Sequence, residues 1–412
     1  MERSRIIRTG AALLLLLGYL GYRHYNGGEH TAVDRPASDA VATDAGDAPA
    51  EQPVKFGSIA FKPCTLTAQF GARGVEAQCG TLSVAEDPAR PEGRRIDLQV
   101  AWILADDEGE PAPDPVFMLA GGPGQSAKQT YPQVAPAFKN VLDHRNVILV
   151  DQRGTGGSNP LACDFGDDPA AMDTPAEARA LAVACRDALS KKADLRFYTT
   201  TDAVRDLESV RQALGVDMID LVGISYGTRV AQQYAMRHPA HTRALVLDSV
   251  APNSMILGND FATNLEHALD LQFAQCEKSQ ACVDELGHPR QQLDALMARL
   301  RADAPLVRYR DAATGESKED RLSADAVAGL MRMYAYVPMV SALLPLQLHE
   351  AAQGRYDGLM ALTRMIGESV GESMAMGMQL SVVCSEDAFG FKADPGAEGA
   401  LQRSAARIPP RC

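Results

Sequence analysis

The first two thirds of the chain carry short apolar runs of two kinds. Residues 80–85 and 96–104 alternate partly between apolar and polar positions and include β-branched side chains, which predicts an antiparallel pair at a sheet edge. Residues 115–120 and 146–150 are almost wholly apolar and end in Gly-rich turns, and 219–222 and 244–247 are similar. Runs of that kind suit strands buried on both faces of a parallel sheet. Between them Val204, Leu207, Val210 and Leu214 recur at helical spacing, with Thr201 or Asp202 as the expected N-cap and Gly215 as the stop. The stretch after Ser225 also reads as helical, up to about Arg237 and before Pro239. Strand, helix, strand, helix, strand predicts an α/β fold with a mostly parallel sheet and right-handed crossovers.

From about residue 254 to 379 the pattern changes to Met, Leu, Ala and charged residues with few strand-like runs, which predicts an inserted helical cap. A β-like run at 380–383 then marks a return to the core. The expected organisation is therefore a targeting segment over 1–25, a flexible linker over 26–55, a core over 56–253, a cap over 254–379 and a return to the core over 380–412. The linker assignment rests on Ala, Asp, Pro and Gly without apolar periodicity. Arg3, Arg5 and Arg8 precede an apolar run at 10–22, the order of an export signal, and the run is short for a membrane span of about 20 residues. Arg23, His24 and Tyr25 follow where a small-x-small cleavage site would stand, so a signal peptide and a retained membrane anchor both remain open. Either predicts an exported protein: periplasmic, secreted or anchored by its N-terminus.

Composition narrows the function classes. The 412 residues carry 40 Lys and Arg against 53 Asp and Glu, a net charge of −13, with 46% apolar residues. An acidic chain without basic clusters is unsuited to displacing phosphate counterions, so no nucleic-acid partner is expected. Eight cysteines fit an oxidising compartment, and although eight allow 105 connectivities, sequence neighbours pair Cys64 with Cys79, Cys163 with Cys185, Cys276 with Cys282 and Cys384 with Cys412. With no Cys-x-x-Cys and no Cys/His cluster, no metal site is expected.

The chemistry centres on Gly223-Ile224-Ser225-Tyr226-Gly227, a Gly-x-Ser-x-Gly placed where a buried strand turns into a helix. A strained turn with small neighbours leaves Ser225 Oγ exposed as a nucleophile, and the helix that begins there favours a developing oxyanion. Acyl transfer needs a second N–H donor, and a Gly-rich loop lets backbone approach closely. Ala120-Gly121-Gly122-Pro123-Gly124-Gln125-Ser126 supplies it, which assigns Gly122 and Tyr226 N–H to an oxyanion hole. A phosphate cradle would require a following Gly-Lys-Ser/Thr, which is absent.

These residues resemble a known family. AGGPGQS at 120–126, DQRGTGGSNP at 151–160, GISYGTRVAQQYAMRHP at 223–239, VLDSVAP at 246–252 and CSED at 384–387 are similar to the α/β-hydrolase serine exopeptidases of the proline iminopeptidase and tripeptidyl aminopeptidase group. The resemblance implies a capped α/β-hydrolase fold, no metal or organic cofactor, and release of residues from peptides with a free N-terminus through an acyl-enzyme on Ser225. It also implies that Asp151, Gln152 and Arg153 shape the loop beside the site. A carboxylate is the natural partner of a substrate α-ammonium, and Glu386 of CSED is the candidate; a solvated acidic pair beside a disulfide is the alternative.

One part of the family pattern is missing. The resemblance implies an Asp-containing turn and a Gly-His loop after CSED, and neither occurs before Cys412, so the chain is expected to lack the final strands and to be weak or inactive as it stands. His238 lies 13 residues along the helix from Ser225, roughly 20 Å away. His267, His288 and His349 fall in the cap, with His349 the least unfavourable substitute base, and Asp248 at the end of a strand reads as a turn carboxylate. An esterase or lipase on the same fold and a non-catalytic binding protein are the rival functions.

Overall fold

The computed structural model describes residues 53–67, 73–106, 110–163, 175–311, 314–336 and 341–391. Residues 1–52 fall outside these, and with them the targeting segment and most of the linker. Among the described residues no helix is long and apolar enough to cross a membrane.

Eight strands form one sheet: β1 Val54–Phe56, β2 Ile59–Leu66, β3 Val75–Ala85, β4 Arg95–Ile103, β5 Val116–Leu119, β6 Val147–Val150, β7 Ile219–Ile224 and β8 Thr242–Asp248, in the order β1-β2-β3-β4-β6-β5-β7-β8. Antiparallel ladders join β1 through β4 and attach β4 to β6, and parallel ladders join β6, β5, β7 and β8. The apolar runs give the parallel half because both of their faces are covered. Phe117 and Leu119 of β5 and Ile148 and Val150 of β6 enter one buried cluster, while Val116, Met118, Val147 and Leu149 enter the cluster on the opposite face. β8 is the edge strand, and Leu245 and Val246 on it are exposed.

Helix α1, Ala127–Val134, covers the second face, and α2 Pro175–Leu189, α3 Thr200–Leu214 and α4 Tyr226–Arg237 cover the first. Helix α3 begins two residues before the expected range: Thr199, not Thr201 or Asp202, is the N-cap and forms a reciprocal capping box with Asp202. Gly215 closes it in the left-handed region at φ 71°, as expected.

The segment from 261 to 373 contains α5 Phe261–Glu277, α6 Gln280–Leu286, α7 Pro289–Ala302, α8 Ala324–Tyr336, α9 Leu344–Ala352 and α10 Asp357–Ser373, with its own buried cluster that includes Leu293, Met297, Val327, Met331 and Leu348. It also holds an antiparallel hairpin, β9 Leu306–Arg310 with β10 Ser317–Arg321, where few strands were expected. Val307 and Tyr309 point inward and the charged residues between them outward, so the alternation is real but masked by charge.

The β-like run at 380–383 is a correction. It lies inside helix α11, Met376–Glu386, where Met378 and Val382, four apart, bury one face. A short apolar run does not by itself separate a strand from a buried helix turn.

Disulfides join Cys64 to Cys79, Cys163 to Cys185 and Cys276 to Cys282. Cys384 is disulfide-bonded, and Cys412, its expected partner, lies outside the described residues.

Candidate active site

Parallel pairing sets the site. Leu119, the last residue of β5, lies opposite Gly223 of β7, and Ile224 lies opposite Asp248 of β8, so three strands end together with Ser225 in the middle. Ser225 N donates to Asp248 O at 2.9 Å. Ser225 has φ 55° and ψ −122°, a conformation that L residues avoid unless the surroundings impose it. The glycines at either side are what permit it. A Cβ on Gly227 would lie 2.2 Å from Leu119 O, and one on Gly223 would lie 2.5 Å from Gly227 O. Ser225 is the N-cap of α4, whose unpaired N–H groups and dipole face the space beside its hydroxyl.

The Gly-rich loop reaches the same point. A Cβ on Gly121 would come within 3.0 Å of Ser225 Cβ, so this backbone is packed against the serine, with Gly122 the next residue. Gly122 and Gly124 have φ of 106° and 112°. Ser126 ends the loop as N-cap of α1 and donates to buried Asp151 Oδ1 at 2.6 Å; Asp151 also accepts from Lys128 N at 3.1 Å and Gly157 N at 3.2 Å. Arg153, 1% exposed, makes two bonds of 2.6 Å to Asp206 on α3 and donates to Glu86 O and Phe197 O. Asp151 and Arg153 therefore hold the loops beside the site.

Glu386 stands at the end of α11. Its Oε1 accepts from Thr200 N at 2.5 Å and its Oε2 from Thr200 Oγ1 at 2.7 Å, and Arg229 is 4.0 Å away. Burial, the largest influence, raises its carboxyl above the ordinary value against the opposing pull of Thr200 and Arg229. Thr200 Oγ1 lies 2.7 Å from the hydroxyl of Tyr226, which is itself buried and raised by that burial. The neighbouring Asp387 is paired with Arg229. The acidic pair is thus held by bonds to the core, with Asp387 buried and Glu386 partly exposed. Thr200 and Arg229 did not stand out in the sequence, although an arginine four residues after the serine, on an otherwise apolar helix face, is a signal in retrospect.

Among the described residues no histidine is hydrogen-bonded to Ser225. His241 Nδ1 contacts Asp217 O at 2.9 Å, His288 Nδ1 pairs with Glu277 at 2.9 Å, His349 Nδ1 contacts Leu286 O at 3.0 Å, and His238 is the C-cap of α4. No group of His, Cys, Asp and Glu that could hold a metal occurs among the described residues.

Residues 114–282 match the family model described as the alpha/beta hydrolase fold. Over these residues the chain has the α/β-hydrolase fold. Three curated relatives that the chain resembles are peptidases by name. A tripeptidyl aminopeptidase of Streptomyces lividans is 30% identical over 190 residues, 42% of this chain and 35% of that protein. The serine protease Hip1 of Mycobacterium tuberculosis is 29% identical over 316 residues, 70% of this chain and 58% of that protein. A proline iminopeptidase of Neisseria gonorrhoeae is 30% identical over 152 residues, 37% of this chain and 36% of that protein. The chain thus spans between about a third and three fifths of the length of these relatives.

Proposed function

We propose that this α/β hydrolase is an exported serine aminopeptidase-type enzyme that releases residues or short peptides from substrates with a free N-terminus. The observation that carries the reading is Ser225: a non-glycine residue held at φ 55° between β7 and α4, with the Gly121 backbone packed against it. In the proposed reaction Ser225 Oγ attacks the scissile carbonyl, and the N–H groups of Gly122 and Tyr226 receive the oxyanion. The C–N bond then breaks, the proton lost by serine passes to the departing amine, and water hydrolyses the acyl-enzyme.

The substrate's α-ammonium is assigned to Glu386. Its side chain is 23% exposed, and a carboxylate has about four acceptor positions, of which Thr200 takes two. Export to the periplasm or beyond, with or without anchorage, follows from the charged and apolar N-terminal sequence and agrees with the disulfides.

The test is release of N-terminal residues from unblocked peptides, with loss of turnover on N-acetylation. Turnover of simple acyl esters with no cleavage of peptides would replace this reading with an esterase.

A further inference from the structure

Helix α11 spans the site from one oxyanion donor to the other. At its start Ala375 N donates to Gly124 O at 2.9 Å, and Met374 forms an antiparallel bridge with Gln125. The approach is close enough that a Cβ on Gly124 would lie 2.7 Å from Ala375 O. The loop carrying Gly122 is therefore bonded directly to the residues that begin α11. At the far end, Glu386 binds Thr200 through both carboxylate oxygens, Thr200 Oγ1 meets the Tyr226 hydroxyl, and Asp387 pairs with Arg229 on the helix that Tyr226 begins. The middle of α11 is seated on the core. A Cβ on Gly154 would be 2.7 Å from Met378 Sδ, and one on Gly377 would be 2.5 Å from Leu161 O.

We propose that α11 is a brace that holds the two oxyanion donors at a fixed separation, with Thr200 as the positioning residue that joins its far end to Tyr226. The assignment rests on Gly122 and Tyr226 being those donors. An eleven-residue helix is a rigid rod of about 16 Å, so displacement at one end is delivered at the other. Helix α10, immediately before it, contributes Leu359 and Met360 to the separate core of the cap. A shift of the cap is thereby applied at Met374 and Ala375, directly on the Gly122 loop.

The experiment compares Thr200→Val, which removes the hydroxyl at constant shape, with Thr200→Ser, which keeps it. Thr200→Val is expected to lower kcat about tenfold, less than the ~10²–10³ that follows loss of a whole donor, and Thr200→Ser is expected to restore wild-type kcat. Amide exchange supplies a readout that does not depend on turnover. Protection of Ala375, at the opposite end of α11, should fall in Thr200→Val together with that of Thr228, whose N–H is bonded to Ser225 O. Met378→Ala, which unseats the middle of the helix, should lower Ala375 protection in the same way. Exchange that changes only around residues 199–203, or a Thr200→Ser variant as impaired as Thr200→Val, overturns the brace. Absence of turnover in the wild-type chain would count against the peptidase reading alone, because the exchange comparison still decides the brace.

Discussion

Arg229, one turn beyond Ser225 on the same helix, donates through Nη1 to both carboxylate oxygens of Asp387 at 3.1 and 2.9 Å, with the two side chains 4% and 2% exposed. The arginine also donates to Met255 O, where the chain leaves the core for the cap. One buried guanidinium therefore ties the nucleophile helix to both connections of the cap.

Removing one member of this pair leaves a buried charge uncompensated, which typically costs about 3–5 kcal/mol. Asp387→Leu and Arg229→Met should each lower the unfolding free energy measured in urea by an amount in that range. The double variant should lose less than the sum of the two. Additive losses in the double-variant cycle would show that the pair is not coupled.

The elbow glycines make a second prediction. Gly227→Ala places a Cβ 2.2 Å from one backbone oxygen and 2.7 Å from another, neither of which is the free end of a flexible side chain. Overpacking of this kind costs about 1–3 kcal/mol or more, so its melting temperature should drop. Gly121→Ala meets the side chain of Ser225 at 3.0 Å and should fold with a smaller loss while slowing acylation. Equal melting temperatures for wild type and Gly227→Ala would contradict the packing described.

Acid sensitivity follows from Glu208. Burial works against its ionisation, but hydrogen bonds from Arg211, Tyr234 and Gln212 outweigh it and hold the carboxyl down at about 2, below the ordinary 4.5. A lowered carboxyl contributes stability that is complete above its ordinary value and is lost as pH falls through the lowered one. The stability difference between wild type and Glu208→Gln should be constant above about pH 5.5 and shrink steadily toward pH 2. Glu386 has the opposite sign: its raised carboxyl favours folding below the ordinary value, and that contribution fades as pH rises through the raised one. A pH-independent difference for Glu208→Gln would contradict the network.

The parallel strands and the serine elbow were legible because a run such as Val147–Val150 has no polar position to mislead, and Gly-x-Ser-x-Gly combines a motif with its strand and helix context. Strand β2 was not. Its Pro63 argues against a strand, yet β1 pairs only as far as Phe61, so at Pro63 the missing N–H faces no neighbour on that side. Helix α11 looked like a strand because the short run Leu380-Ser381-Val382-Val383, three of its four residues apolar, fits either period. The bonds around Glu386 join residues 186 positions apart, a relationship that only the folded chain displays.

The central claim is that Ser225 is the nucleophile, and fluorophosphonate labelling followed by mass spectrometry of the modified peptide tests it most directly. Labelling confined to Ser225 and abolished in Ser225→Ala is the predicted result. Labelling that persists in Ser225→Ala, or that maps to another residue, would contradict it.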